Sequence, residues 1–306
     1  MILTVTLNPA WDVTYPVATL RPGDTVRTGP VSGRAGGKGV NVARVLHQLG
    51  HATLATGPLG GPLAGEFRAE LDRADLGHEF VGVAAPTRST VTVVEADGRA
   101  TVLAEPGPDL AESWPVLLAR LEEQIARAEL VVLAGSLPAG LPPDTYGVLV
   151  DLARRRAVMS IVDSGGDALR HAVAAGPDLV KPNREELRAA TGSESIVDGM
   201  CALLGAGARR VVVSAGPDGL VGATETQCWQ AKPAPLAAVN ATGAGDAAVA
   251  ALAVGLLAED DWPELLRRAV AWSAAAVLEP LAGTVAVHRL AELADTTYIT
   301  EERPAC

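Results

Sequence analysis

The chain has 306 residues, room for one large α/β unit or two modest ones. Apolar residues make up 48% and charged ones 20%, which allows a sizeable core and speaks against disorder. A formal net charge of −11 argues against a nucleic-acid partner, whose phosphates need clustered Lys and Arg.

Met1 to Leu7 is a short apolar β-type run with no basic region or small-residue cleavage site, so no secretory leader is expected. Residues 11–34 and 86–105 mix alternating Val and Thr with turn formers and single charges (Asp12, Arg27, Arg88, Glu95, Arg99). They predict short antiparallel strands, a flap beside a main sheet. Between them, Val40, Ala43, Leu46 and Leu49 share one helical face before Gly50, with Asn41 and Arg44 on the other side. From residue 113 onward, helical stretches near 113–128, 144–156, 185–191 and 197–207 alternate with apolar bursts at 130–134, 158–162, 178–180 and 211–214. Such alternation implies a parallel sheet covered on both faces, with ligands outside the carboxyl ends of its strands. Polar residues stand at those ends: Gly135-Ser136, Asp163-Ser164, Lys181-Pro182-Asn183 and Ser214-Ala215-Gly216. The apolar run 247–258 is too short to span a membrane and predicts a buried helix. No repeat or linker interrupts the pattern, so 1–306 reads as a single α/β domain with a flap.

Cys201, Cys228 and Cys306 show no metal or redox spacing. The expectation is reduced thiols in a cytoplasm, with Cys201 and Cys228 in the core and Cys306 loose at the end. Lysine is scarce: only Lys38, Lys181 and Lys232 occur, and two of these lie in motifs.

The richest motif is Asn240-Ala241-Thr242-Gly243-Ala244-Gly245-Asp246, directly before the long apolar helix. Small residues at a helix start let backbone N–H groups converge on an anion. An acid there repels a static phosphate. It makes sense if Asp246 takes a proton from a hydroxyl while the amides of Gly243, Ala244 and Gly245 absorb charge on a moving phosphoryl group. A helix-capping acid is the alternative on this fragment alone. Gly36-Gly37-Lys38-Gly39 opens the first helix but is no P-loop, because Ser or Thr does not follow Lys38. Asn183 and Glu186 sit three apart on a first helical turn. They suit either a cap or a hydrated Mg²⁺ with its phosphates. Ser214 to Gly219 is a strand-to-turn loop that admits a close ligand or closes a hairpin. The flap arginines suit phosphate, or simply a solvated face.

Taken in order, these motifs resemble the ribokinase-like (PfkB) carbohydrate kinases, most closely the 1-phosphofructokinase and tagatose-6-phosphate kinase branch. The likeness runs from Thr4-Val5-Thr6-Leu7-Asn8-Pro9-Ala10 to the helix after Asp246. It is carried above all by Gly-Gly-Lys-Gly-Val-Asn-Val-Ala-Arg at 36–44 and Thr-Gly-Ala-Gly-Asp at 242–246. The resemblance implies a three-layer α/β/α fold with a mostly parallel sheet and a small β-sheet lid. It implies transfer from ATP, with Mg²⁺, to a ketohexose phosphate. Asp246 would be the general base and Gly243 to Gly245 the anion hole. Asp12, Gly37, Lys38, Asn41 and Ser136 would hold the sugar, and Arg88 with Arg27 its existing phosphate. Thr242, Ser214, Gly216, Gly219 and Asn183 would serve ATP, and Glu186 the metal. A cytoplasmic enzyme, without a membrane partner and paired through its lid, completes the expectation. Ala247 and Ala251 depart from the Ser and Gly usual in relatives, as does Asp163-Ser164-Gly165-Gly166 from Asp-Thr-Ser-Gly. A kinase for a neutral sugar or nucleoside, or a non-catalytic sugar-phosphate sensor, are the alternatives.

Overall fold

The computed structural model describes residues 1–302 and 306. The first half contains β1 (Ile2–Val5), β2 (Ala10–Val17), β3 (Ser32–Gly36), α1 (Lys38–Gln48), β4 (Thr53–Thr56), β5 (Pro58–Gly60), α2 (Ala64–Arg73), β6 (Val81–Val83), β7 (Arg88–Glu95), β8 (Ala100–Ala104), α3 (Trp114–Ile125) and β9 (Leu130–Ala134). Then follow α4 (Thr145–Arg155), β10 (Met159–Asp163), α5 (Gly166–Ala174), β11 (Leu179–Val180), α6 (Arg184–Thr191), α7 (Ile196–Gly205), β12 (Val211–Ser214), β13 (Leu220–Ala223), β14 (Cys228–Lys232), α8 (Ala244–Leu257), α9 (Trp262–Ala276), α10 (Leu290–Asp295) and β15 (Tyr298–Glu302).

Nine strands form the main sheet in the order β15-β14-β13-β12-β11-β10-β9-β1-β4. From β12 to β4 every pairing is parallel, and the β12-to-β15 edge is antiparallel. The strands alternate their side chains between two cores. Leu130, Val132 and Ala134 face α1, α8 and α9, while Val131 and Leu133 face α3 to α7. That double burial is why the central strands are largely apolar on both faces, β9 (LVVLA) throughout, and it makes three layers, α/β/α. α8 is apolar all round because Ala247 to Ala253 are wholly buried between the sheet and α9. Its alanines, Ala247 and Ala251 included, leave the room that a close helix pair needs.

The structure differs from expectation in four places. The sequence pattern gives no bounds for β4, β5, α2 and β6, for α5, whose single apolar face is short, for β13 to β15, which are reached through the turn at Gly216–Gly219, or for α9 and α10. The small sheet (β3-β2-β7-β8) is antiparallel only at its two outer pairs. β2 and β7 run parallel, because α1, β4 and α2 intervene between them. Arg44, expected on a polar face, is 6% exposed and paired with the Glu70 carboxylate, since α1 is covered on both sides. Cys201 on α7 is bonded to Cys306, a partner 105 residues away that no local spacing discloses, and Cys228 is a buried free thiol. Among the described residues no helix is long and apolar enough to cross a membrane.

Candidate active site

The parallel strands end on one side of the sheet, and their first residues beyond the ladder build the site. A cleft of about 680 Å³ is lined by Thr6, Asn8, Gly37, Lys38, Arg88, Ser136 and Glu186, among others. A second, of about 650 Å³, is lined by Asn183, Ser214, Gly216, Gly219, Ala244 and Gly245, with Pro233 to Leu236, Val270 and Val277 as an apolar wall. The first turn of α6 stands between them, because Asn183 faces one cleft and Glu186 the other. Residues expected to hold sugar thus fall mainly in the polar cleft, and those expected to hold nucleotide in the apolar one.

α6 is fixed by a reciprocal cap. Asn183 Oδ1 accepts the Glu186 amide at 2.8 Å, and Glu186 Oε2 accepts the Asn183 amide at 2.9 Å. The other Glu186 oxygen, Oε1, accepts from Lys38 Nζ at 2.9 Å. Lys38 Nζ also lies 3.3 Å from Asp163 Oδ1, and Lys181 Nζ reaches the same oxygen at 3.3 Å. Burial works against the Lys38 ammonium, but Asp163 and Glu186 hold its pKa above the ordinary lysine value. Asp163 Oδ2 is buried with no partner among the described residues. Sequence reasoning noted Asp163 and Lys181 as polar strand ends and gave them no role; the scarcity of lysine was the available signal.

α8 begins with Gly243 at φ 88°, a left-handed turn that a Cβ would also drive to 2.9 Å from Ala282 Cα. The Ala244 amide turns back to Ala241 O at 3.4 Å. The amides of Gly245 and Asp246 have no acceptor within the helix, as at any helix start. Lys181 Nζ lies beneath, 3.5 Å from where a Gly245 Cβ would be. Asp246 is 7% exposed, more enclosed than the sequence implies. Its Oδ2 accepts from Asn41 Nδ2 at 2.8 Å, and its Oδ1 has no partner among the described residues and is not sealed from solvent. Burial and the nearby Asp163 push its pKa up to about 7, against the Asn41 hydrogen bond and the charges of Lys38 and Lys181.

In the small sheet, Asp12 stands opposite Thr90 and Arg34 on its neighbouring strands. Burial raises its pKa to about 6, although Thr90 and the cations Arg88, Arg34 and Arg44 oppose this. Gly36 has no room for a Cβ because the Asp12 carboxylate occupies that space. Arg88 is anchored through Asn8 O (3.3 Å) and Glu105 O (2.9 Å) at the rim of the polar cleft. Asn8 Nδ2 donates to Ser136 Oγ at 3.1 Å, and Asn8 Oδ1 and Thr6 Oγ1 are buried without partners among the described residues. Asp12, Asn41, Gly243 and Asp246 are outside the lining of both clefts but joined to the site by the contacts above; two further expected residues lie apart from it. Arg27 is exposed on the loop between β2 and β3 and lines neither cleft, and the exposed Thr242 is used through its amide, which Asn240 Oδ1 caps at 2.9 Å.

The arrangement joins an apolar cleft, a cleft lined by charges of both signs (Lys38, Arg88, Asp167 and Glu186) and an acid beside free helix-start amides. A profile of the pfkB family carbohydrate kinases matches residues 6–288. The chain belongs to the pfkB family of carbohydrate kinases. Phosphofructokinase-2 from Escherichia coli, solved in complex with fructose-6-phosphate, is 31% identical to this pfkB kinase. The match covers 96% of this chain and 98% of that one, with a TM-score of 0.86. A possible 1-phosphofructokinase from Thermotoga maritima is 24% identical over 99% of both chains with a TM-score of 0.88, a likeness of fold. The architecture of this pfkB kinase is therefore ribokinase-like.

Proposed function

We propose that this pfkB kinase transfers the terminal phosphoryl group of ATP to a hydroxyl of a ketohexose phosphate, yielding the bisphosphate. The candidate acceptors are fructose 1-phosphate, tagatose 6-phosphate and fructose 6-phosphate. One observation carries the reading: Asp246 sits at the free amides that start α8, with a pKa pushed up to about 7, next to Ala244 and Gly245 of the apolar cleft and bonded to Asn41, one helical turn from Lys38 of the other. Purine fits the apolar wall. Arg88 and Lys38 suit an acceptor that already carries a phosphate. The likeness to a phosphofructokinase supports the same class of acceptor.

In this reading Oδ1 of Asp246 takes the acceptor's hydroxyl proton, while Asn41 holds Oδ2 and so sets the carboxylate's angle. The Gly245 and Asp246 amides, with the turn of Gly243 and Ala244, take up charge on the transferring group. Asp12 accepts hydrogen bonds from the sugar, and Asn8 and Ser136 line its path. The donor set fits Mg²⁺. Asp163 has a buried, unpartnered oxygen and Glu186 an oxygen shared only with Lys38. Mg²⁺ bound there with water would neutralise phosphate charge. Among the described residues no cluster of three or more His, Cys, Asp or Glu forms a closed metal cage, which suits a metal that arrives with its nucleotide.

Val102 (57% exposed) and Leu103 (62%) on the outer strand β8 support pairing of two copies through the small sheet, acting as a lid. The deciding experiment is a panel of phosphorylated and free ketohexoses with ATP, read by ADP release as kcat/KM. Preference for a phosphorylated ketohexose is expected. Preference for a free sugar or nucleoside, or no turnover at all, would overturn the reading.

A further inference from the structure

The segment after α9 turns back past the start of α8 and serves as its template. Val277 O accepts from the amides of Val239 (2.7 Å) and Asn240 (3.1 Å), and Pro280 O accepts from Asn240 Nδ2 at 2.9 Å. Ala282 then closes on Gly243, whose added Cβ would lie 2.9 Å from both Ala282 Cα and Cβ. Gly283 packs as tightly on Asn41, where an added Cβ would meet Cα and Oδ1 at 3.1 Å. Residues 277–283 therefore touch both the anion-binding turn and the side chain that holds Asp246. The segment is neither helix nor strand, and Leu281 on it is 47% exposed.

One side chain reaches this template from the small sheet. Arg34 of β3 donates Nη1 to Ala282 O at 2.7 Å. It stands directly across from Asp12 in the β2–β3 pairing, and its Nε is 4.0 Å from Glu70 Oε1. We propose that Arg34 is a positioning residue that ties the small sheet to residues 277–283 and thereby fixes the amides at the start of α8. Arginine suits this task because its planar fork can serve a carbonyl and a carboxylate together. Burial and the adjacent Arg44 push its pKa down to about 10, opposed by Glu70 and Asp12; the hydrogen bond to Ala282 O is what anchors the guanidinium there. Its other neighbours line a separate hollow of about 150 Å³ with Arg44, His47 and Gly283. Arg34 shares a sheet face with Asp12 and Arg88 but is not among the residues lining the cleft that Arg88 and Ser136 line.

The kinetic half of the test rests on the kinase reading above, and the exchange half does not. Arg34→Met keeps the aliphatic stem and removes the donors; Arg34→Lys keeps a charged donor. For Arg34→Met, kcat should fall on the order of ten-fold, the worth of one charge-assisted hydrogen bond. KM for nucleotide and sugar phosphate should stay within about two-fold, as for an interaction acting on the transition state. Backbone hydrogen exchange should quicken at residues 277–283 and 240–247 and not across the rest of the sheet, and Arg34→Lys should restore most of both signals. A raised sugar-phosphate KM with kcat intact would make Arg34 a substrate ligand and overturn the proposal. So would unchanged exchange at 240–247, or faster exchange across the whole sheet. If the wild type turns over nothing on the panel, the kinase reading fails and the exchange pattern alone decides the fate of Arg34.

Discussion

Asp246 is held near its own midpoint at neutral pH. Burial and Asp163 raise its pKa to about 7, while Asn41, Lys38 and Lys181 pull it down. Only the deprotonated carboxylate accepts a hydroxyl proton, so kcat/KM should climb with pH and level off above about 7, measured as ADP release. Asp246→Asn can keep the Asn41 bond and lose the base. Its kcat should drop by roughly 10²–10⁴-fold with nucleotide affinity preserved by calorimetric titration. An active variant would remove Asp246 from the chemistry. The same raised pKa has a sign for stability. Between the unfolded value of 3.8 and about 7 the native state binds the proton more tightly, so this residue's contribution declines as pH rises through that window. Asp246→Asn removes the decline and should melt higher than the wild type at pH 8, by a few °C, and no higher at pH 4. Arg88 acts at a different point. Arg88→Ala should raise KM for a sugar phosphate far more than for the free sugar, and equal effects would show that Arg88 does not read the phosphate.

At the scale of elements, the start of α8 concentrates the constraints. Gly243 needs its left-handed φ of 88° and its closeness to Ala282. Gly243→Ala should lower kcat at least ten-fold and melt several °C lower, because αL alanine costs about 1–2 kcal/mol before the clash is counted. Normal kinetics in that variant would mean the turn has slack. Much of this geometry is legible in the residues themselves. The Gly-Ala-Gly-Asp turn before an alanine-rich run requires a helix start with converging amides, and Asn183 with Glu186 anticipates the cap of α6. Burial on both faces of the parallel strands follows from their unbroken apolar runs. Other parts are silent. The wall Pro233 to Leu236 with Val270 and Val277 is made of ordinary apolar residues, and only the fold turns them into a cleft. Arg44 looked solvent-facing because periodicity reports which face is apolar, and α1 proved to be covered on both. Asp163 and Lys181 come from adjacent strands, and their pairing depends on a strand order that no local pattern contains.

At the scale of the whole molecule, the Cys201–Cys306 bond links α7 to the end of the chain. It closes a span of 105 residues that includes α8, α9 and the antiparallel edge. A cross-link over so long a span limits the unfolded ensemble strongly, typically by about 2–4 kcal/mol. Reduction, or Cys306→Ser, should therefore lower the melting temperature by several °C while leaving kcat nearly unchanged, since neither sulfur lines a cleft. An identical melt with and without reductant would show that the bond adds nothing to the fold in solution. Long-range closure of this kind lies beyond reading by residue spacing, just as the parallel register of β2 with β7 does.

Few amines exist on this protein. Lys38 has a side chain 35% exposed and Lys181 one only 3% exposed; Lys232 is exposed, and the terminal amine pairs with Glu129. An amine-directed acylating reagent therefore has Lys38 as its one accessible target among the site's two lysines. While Asp163 and Glu186 keep that nitrogen protonated it is a poor nucleophile, and loosening their hold makes it a better one. Following acylation at Lys38 by peptide mass, separately from Lys232 and the terminal amine, would turn a compositional accident into a clock for the opening of the cation cage, with no substrate analogue or optical label required.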